Sequence, residues 1–110
     1  MKIIFDQATP MPIRRYLEGH TVRTASQEGW DRLRNGDLLN AAEEAGFDLL
    51  LTTDKNMLYQ QNLAGRRIAI VVLGRQQWHQ LRLHIQLVVD AVNAATPGTC
   101  LEVEIPFLQG

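Results

Sequence analysis

Unbroken apolar runs alternate along this chain with stretches whose apolar residues recur at helical spacing. Such alternation predicts βα units around a mostly parallel sheet. Lys2 to Asp6 reads as a first strand, apolar throughout because a central parallel strand is covered on both faces. Pro10 and Pro12 introduce a turn and a short helix near Ile13 to Leu17, and Thr21 to Ala25 reads as a second strand. Residues 26 to 34 are weakly patterned, with a helical turn around Trp30 as the expectation. Asn35 then caps a helix whose Leu38, Ala42 and Ala45 share one face, and Gly46 stops it. Asp48 to Thr53 is a buried strand, followed by a short helical stretch from Met57 to Leu63. Ile68 to Leu73 is the most apolar strand.

The longest helix is expected over Gln76 to Ala95, where Trp78, Leu81, Ile85, Val88, Val92 and Ala95 form one stripe. Pro97-Gly98 ends it. Leu101, Val103 and Ile105 alternate with Glu102 and Glu104, the pattern of an edge strand with one wet face. The expected architecture is a three-layer α/β/α sandwich with a central sheet of about five strands. Right-handed crossovers favour an order such as 2-1-3-4-5, with the topological switch beside Asp6. Residues 1–110 read as a single domain without repeat or linker.

Composition adds limits. A chain of 110 residues with 45% hydrophobic and 21% charged residues suits one core. No apolar stretch reaches the roughly 18 residues of a membrane span, and no signal peptide opens the chain, so no membrane partner is expected. The single Cys100 has no partner for an internal disulfide, which fits a reducing cytoplasm. Net charge is only −1, so composition does not announce nucleic-acid binding. Attraction to phosphate would have to come from a divalent ion and local basic groups.

Three acids carry the candidate chemistry. Asp6 closes the apolar run Ile3-Ile4-Phe5, Asp54 closes Leu49-Leu50-Leu51-Thr52-Thr53, and Asp37 opens a helix. Ligands of open α/β folds collect at the carboxyl ends of the strands, so these acids are expected in one crevice. A hard oxygen cluster suits Mg²⁺ or Mn²⁺, which activates water against a phosphodiester. Each acid also has a structural use. Asp6 can form a turn with nearby amides, Asp54 can cap the stretch after it, and Asp37 can answer the helix macrodipole.

Phe5-Asp6-Gln7-Ala8-Thr9-Pro10, Gly19-His20, Asn35-Gly36-Asp37-Leu38-Leu39, Ala45-Gly46-Phe47-Asp48 and Thr52-Thr53-Asp54-Lys55-Asn56 together resemble the short PIN-like family. The resemblance runs from Lys2 to about Leu73, and the order and spacing of its short elements carry it. It implies an α/β/α nuclease fold and cleavage of single-stranded RNA with Mg²⁺ or Mn²⁺. Some members of that family are regarded as toxins, so an antitoxin protein enters as an expected partner. PIN domains commonly pair, which adds a homodimer. The resemblance puts Asp6, Asp37 and Asp54 in the catalytic and metal-holding roles. Asn56 stands where many members carry a fourth acid, and Ala8 where glycine or asparagine is usual. Asn56 can offer a carbonyl oxygen but lowers the charge of the site.

Around those acids, Asn56 is expected to orient substrate or water, Thr53 to position water, and Lys55, Arg66 and Arg67 to hold phosphates. Arg14-Arg15 and Arg32 with Arg34 offer further rim cations. Tyr59-Gln60-Gln61-Asn62 offers stacking and hydrogen bonds for splayed bases. Asp31 and Asp48 read as solvated loop acids, and no histidine is assigned to the site. Two other functions compete. One is a catalytically silent PIN-like module that binds a protein partner or itself. The other, a receiver-like or phosphatase domain, needs a lysine well beyond the third strand, and no lysine follows Lys55.

Overall fold

The computed structural model of the chain describes residues 1–57 and 63–106. Among these, five strands form one sheet: β1 (Lys2–Phe5), β2 (Thr21–Thr24), β3 (Leu49–Thr52), β4 (Ala69–Leu73) and β5 (Cys100–Val103). Their order is β2-β1-β3-β4-β5, and every neighbouring pair is parallel. The expected order and the switch point between β1 and β3 are therefore both present. β1, β3 and β4 are inner strands, which is why Ile3 to Phe5, Leu49 to Leu51 and Ala69 to Leu73 are buried without alternation.

Alternate residues of these strands feed two cores. Ile3, Phe5, Leu49, Leu51, Val71 and Leu73 face one layer. That layer holds the 3₁₀ helix Met11–Tyr16, α2 (Trp78–Leu81) and α3 (Ile85–Ala94). Ile4, Leu50, Ile70 and Val72 face the other layer, where α1 (Asn35–Glu44) contributes Leu38, Leu39 and Ala42. Layers on both faces make the sheet the middle of an α/β/α sandwich. Burying a side chain such as Leu50 or Ile70 contributes about 1.5–3 kcal/mol, and the inner strands supply most of such positions.

Several expectations change in detail. The stripe over Trp78 to Ala95 packs as expected, with Leu81, Val88 and Val92 fully buried. The helix itself is not continuous. Arg82–His84 tightens to a 3₁₀ turn, and His84 leaves the helical region at φ −127° and ψ 29° before α3 starts. Neither glycine nor proline marks this break, so sequence pattern alone does not announce it. Asn35 does not cap α1 through its side chain; Arg34 holds the cap position, and Asn35 sits at φ 47°. Asparagine is among the few residues that tolerate this left-handed conformation. Gly46, at φ 85°, follows α1 as expected. In β5, Val103 is buried and Glu102 is exposed, but Leu101 is 43% exposed on this edge strand. Cys100 packs partly against the α1-side core. Most of the expected helix from Met57 to Leu63, with the Tyr59 to Asn62 recognition segment, lies outside the described residues. No helix among the described residues is long and apolar enough to cross a membrane.

Candidate functional site

Strand direction divides the expected site residues between two edges. Residues that follow β1 and β3 emerge at the carboxyl edge, beside the switch point. There a crevice of about 590 Å³ is lined by Asp6, Thr52, Thr53, Asp54, Lys55 and Asn56. Asp31 and Arg34 join it from the loop before α1. Trp30 forms part of the same wall, half-buried and held edge-on against Phe47 with ring centroids 5.8 Å apart. Gln76, two residues beyond Gly74 at the end of β4, completes the polar rim.

Asp6 is half-buried and firmly held. Its Oδ1 accepts the Thr9 backbone N–H at 3.1 Å. The Thr9 hydroxyl lies 2.5 Å from the same oxygen and 3.0 Å from the Leu51 carbonyl, one proton facing two acceptors. Thr52, almost fully buried, donates its hydroxyl proton to Asp6 Oδ2. The Thr52 oxygen in turn accepts the Asp54 N–H at 3.0 Å. A single buried hydroxyl therefore links the two strand-end acids. Asp54 shapes the turn after β3, accepting the Asn56 N–H on Oδ1 at 2.9 Å and the Met57 N–H on its carbonyl at 3.1 Å. Both acids thus perform their structural roles while facing the crevice. A carboxylate offers about four lone-pair directions, so neither is saturated by these bonds.

Asp37 is placed differently. It lies exposed in the first turn of α1 and does not line the crevice. The buried face of α1 runs through Leu38, Leu39 and Ala42, which turns Asp37 toward the opposite side of the helix. The structure brings together Asp6 and Asp54, with Asp31 as a third acid on the crevice wall, but leaves Asp37 outside it. Among the described residues, no three of His, Cys, Asp and Glu are arranged as a metal-holding group.

Arg66 and Arg67 also move out of the site. They precede β4 and so occupy the amino edge, about 16 Å of strand away from the carboxyl edge. Glu43 at the end of α1 engages both. It accepts Arg66 Nη1 at 3.2 Å, the Arg67 backbone N–H at 2.6 Å and the Ile68 N–H at 3.3 Å. Chiefly the Arg67 N–H holds the Glu43 carboxyl below its ordinary range, against the opposing effect of partial desolvation; Ile68 and Arg66 add to the lowering. Asp48 belongs to the same edge, accepting the Lys2 N–H at 2.8 Å.

No family model, curated protein or solved structure matches this chain. Geometry alone therefore marks the site. Strand direction recovers Gln76 and excludes Arg66 and Arg67, because residues before and after a parallel strand lie at opposite edges. Arg34 lines the crevice as one of the expected rim cations, whereas Asp31 and Trp30 had no comparable signal, since the loop over residues 26 to 34 lacks a period. Cys100 is no nucleophile candidate. Burial pushes its thiol up, and nearby Glu102 adds to this, so the reactive thiolate is disfavoured.

Proposed function

We propose that this protein is a metal-dependent phosphodiester hydrolase of the PIN-like type, acting on single-stranded RNA as a low-activity endoribonuclease. The observation that carries this reading is the sharing of one carboxyl-edge crevice by Asp6 and Asp54 at the switch point of the sheet. Two carboxylates fit a hydrated Mg²⁺ or Mn²⁺, because Mg²⁺ often takes one or two protein acids and completes its shell with water and substrate phosphate. Such an ion supplies a more acidic bound water and offsets charge on the phosphoryl group. Asp6 and Asp54 are the residues that would hold it.

The remaining roles belong to side chains on the crevice wall. Lys55 and Arg34 bring positive charge to the phosphate, and Asn56 offers an amide to orient substrate or water. Thr52 fixes Asp6 relative to the Asp54 backbone. Hydrolysis adds water to phosphorus and breaks one P–O bond, leaving a phosphate monoester on one fragment and a hydroxyl on the other. The family resemblance extends this reading to the toxin of a toxin–antitoxin pair, with an antitoxin protein or a second copy of the chain as partner. With only two acids linked through Thr52, and an amide at Asn56, a silent binding module is the second reading.

The test is cleavage of labelled single-stranded RNA with Mn²⁺ and with EDTA, comparing wild type, Asp54→Asn and Asp37→Asn. Cleavage should require Mn²⁺, survive Asp37→Asn and disappear in Asp54→Asn. Equal cleavage by wild type and Asp54→Asn would overturn the assignment, and no Mn²⁺-dependent cleavage by the folded wild type would select the silent module.

A further inference from the structure

Asp6 and Gln7 border two cavities. Besides the large crevice, a second cavity of about 320 Å³ opens on the β2 side of Asp6, lined also by Thr9, Met11, Thr24, Ser26 and Gln27. The two differ in chemistry. The larger side carries the half-buried Trp30 ring with Arg34 and Lys55 beside the acids Asp31 and Asp54, whereas the smaller side has no charged residue except Asp6 itself. A half-buried ring on a wall with two cations suits a base and its phosphate, through stacking and charge. A wall of hydroxyls and two amides, with one exposed methionine, suits a sugar and base held by weaker contacts.

We infer that a bound RNA strand crosses Asp6, with one nucleotide in the Trp30 crevice and its chain neighbour in the cavity of Met11, Ser26 and Gln27. This rests on the proposed reading of the Asp6–Asp54 site and adds how its substrate lies. The phosphate between the two nucleotides then sits over the carboxylate shared by both cavities. Contact with the base falls chiefly to the Trp30 side, by stacking that accepts any base, and the smaller cavity selects for chain continuity. The strand is recognised by its span across Asp6, which a small phosphodiester lacks.

Ser26→Trp and Met11→Trp fill the smaller cavity from two exposed positions on its wall. Both are compared with wild type after thermal melting confirms the fold. Two Mn²⁺-dependent substrates are used: bis(p-nitrophenyl) phosphate and a labelled single-stranded oligoribonucleotide. Each variant that melts like wild type should keep turnover of the small diester and lose about tenfold in kcat/KM on the oligonucleotide, the scale of one lost base contact. Unchanged kcat/KM on the oligonucleotide in a folded variant overturns the inference. Fluorescence anisotropy with a single-stranded DNA oligomer in Ca²⁺, a hard cation that the same oxygens can hold in place of Mn²⁺, provides a readout independent of cleavage. About tenfold weaker binding by the variants supports the two-sided path even where wild type cleaves neither substrate, an outcome that removes only the nuclease reading. Equal binding by all three overturns the path.

Discussion

Glu43 at the amino edge of the sheet meets a guanidinium, whereas Asp6 and Asp54 at the carboxyl edge meet only neutral donors among the described residues. At the amino edge, Glu43 engages a guanidinium and two backbone N–H groups, and Asp48 holds the Lys2 N–H. Lys2 in turn reaches the Ala45 carbonyl at 3.1 Å and lies 4.3 Å from the Phe47 ring centroid. At the carboxyl edge, Asp6 and Asp54 take hydroxyl and amide protons, and the cations Lys55 and Arg34 line the crevice around them. Among the described residues, neither acid forms an ion pair. An acid paired with a guanidinium has its charge answered locally and works as a clamp. One held only by neutral donors keeps a charge that a ligand can answer.

Exchanging the two kinds of acid for amides should separate these uses. Asp6→Asn should lower RNA cleavage by about a hundredfold or more, since even outer partners of a metal site cost 10–100-fold. Its effect on stability should stay near 1 kcal/mol, because Asn can still accept the Thr9 N–H with its carbonyl oxygen. Glu43→Gln should do the reverse, lowering the urea midpoint at neutral pH with cleavage unchanged. The sign in pH follows from the lowered Glu43 pKa. Its contribution to stability is fully present above the ordinary value of 4.5 and is lost as pH falls through the lower value of the folded protein. Urea melts of wild type and Glu43→Gln should therefore differ at neutral pH and converge in acid. A constant gap across that range would mean that Glu43 acts through packing alone.

A smaller effect probes how tightly the amino edge is built. Gly98, between α3 and β5, has φ 75°, and a Cβ there would meet the Arg66 carbonyl at 3.0 Å. Gly98→Ala should destabilise the protein by about 1–3 kcal/mol, combining left-handed strain with close approach to backbone. Gly29 shares a positive φ, but a Cβ there meets nothing within 4 Å, so Gly29→Ala should cost less. Equal thermal shifts for both would show that the amino edge yields as readily as an open loop.

Much of this contrast was legible in the sequence. Inner strands are covered on both faces, so their unbroken apolar runs located β1, β3 and β4, and chain direction then put Asp6 and Asp54 at one edge. The same rule, applied to Arg66-Arg67 ahead of β4, places them at the other edge, whereas cationic character by itself suggests phosphate binding. Asp37 lies outside the crevice for a rotational reason. A helix start near the crevice does not aim every side chain of its first turn into it, and Leu38, Leu39 and Ala42 decide which face is turned inward. Asp31 and Trp30 were illegible because their loop is organised by tertiary contacts. The Gln7 amide donates to the Asp31 carbonyl at 2.6 Å, and Trp30 packs on Phe47, partners far off in sequence. His84 was hidden too, since its departure from helical geometry leaves the apolar stripe in register.

The finest test of the contrast adds charge to the open edge. Asn56 is exposed on the crevice wall, and its N–H already donates to Asp54 Oδ1. Asn56→Asp keeps that backbone bond and the side-chain volume while adding a carboxylate beside Asp54. Without metal, like charges repel, and the melting temperature should fall slightly, by less than the cost of Gly98→Ala. With Mn²⁺ the added oxygen ligand should tighten binding several-fold and raise cleavage by a similar factor, because affinity at hard-cation sites grows with ligand charge. Calorimetric titration with Mn²⁺ reads the first effect and RNA cleavage the second. The matched control is Asn40→Asp on α1, whose side chain accepts Arg66 Nη2 at 2.6 Å. There a new carboxylate meets a guanidinium already in place, so stability should hold or rise and Mn²⁺ affinity should not change. If both substitutions shift Mn²⁺ binding equally, the metal is answering net charge and the carboxyl-edge crevice has no special claim to it.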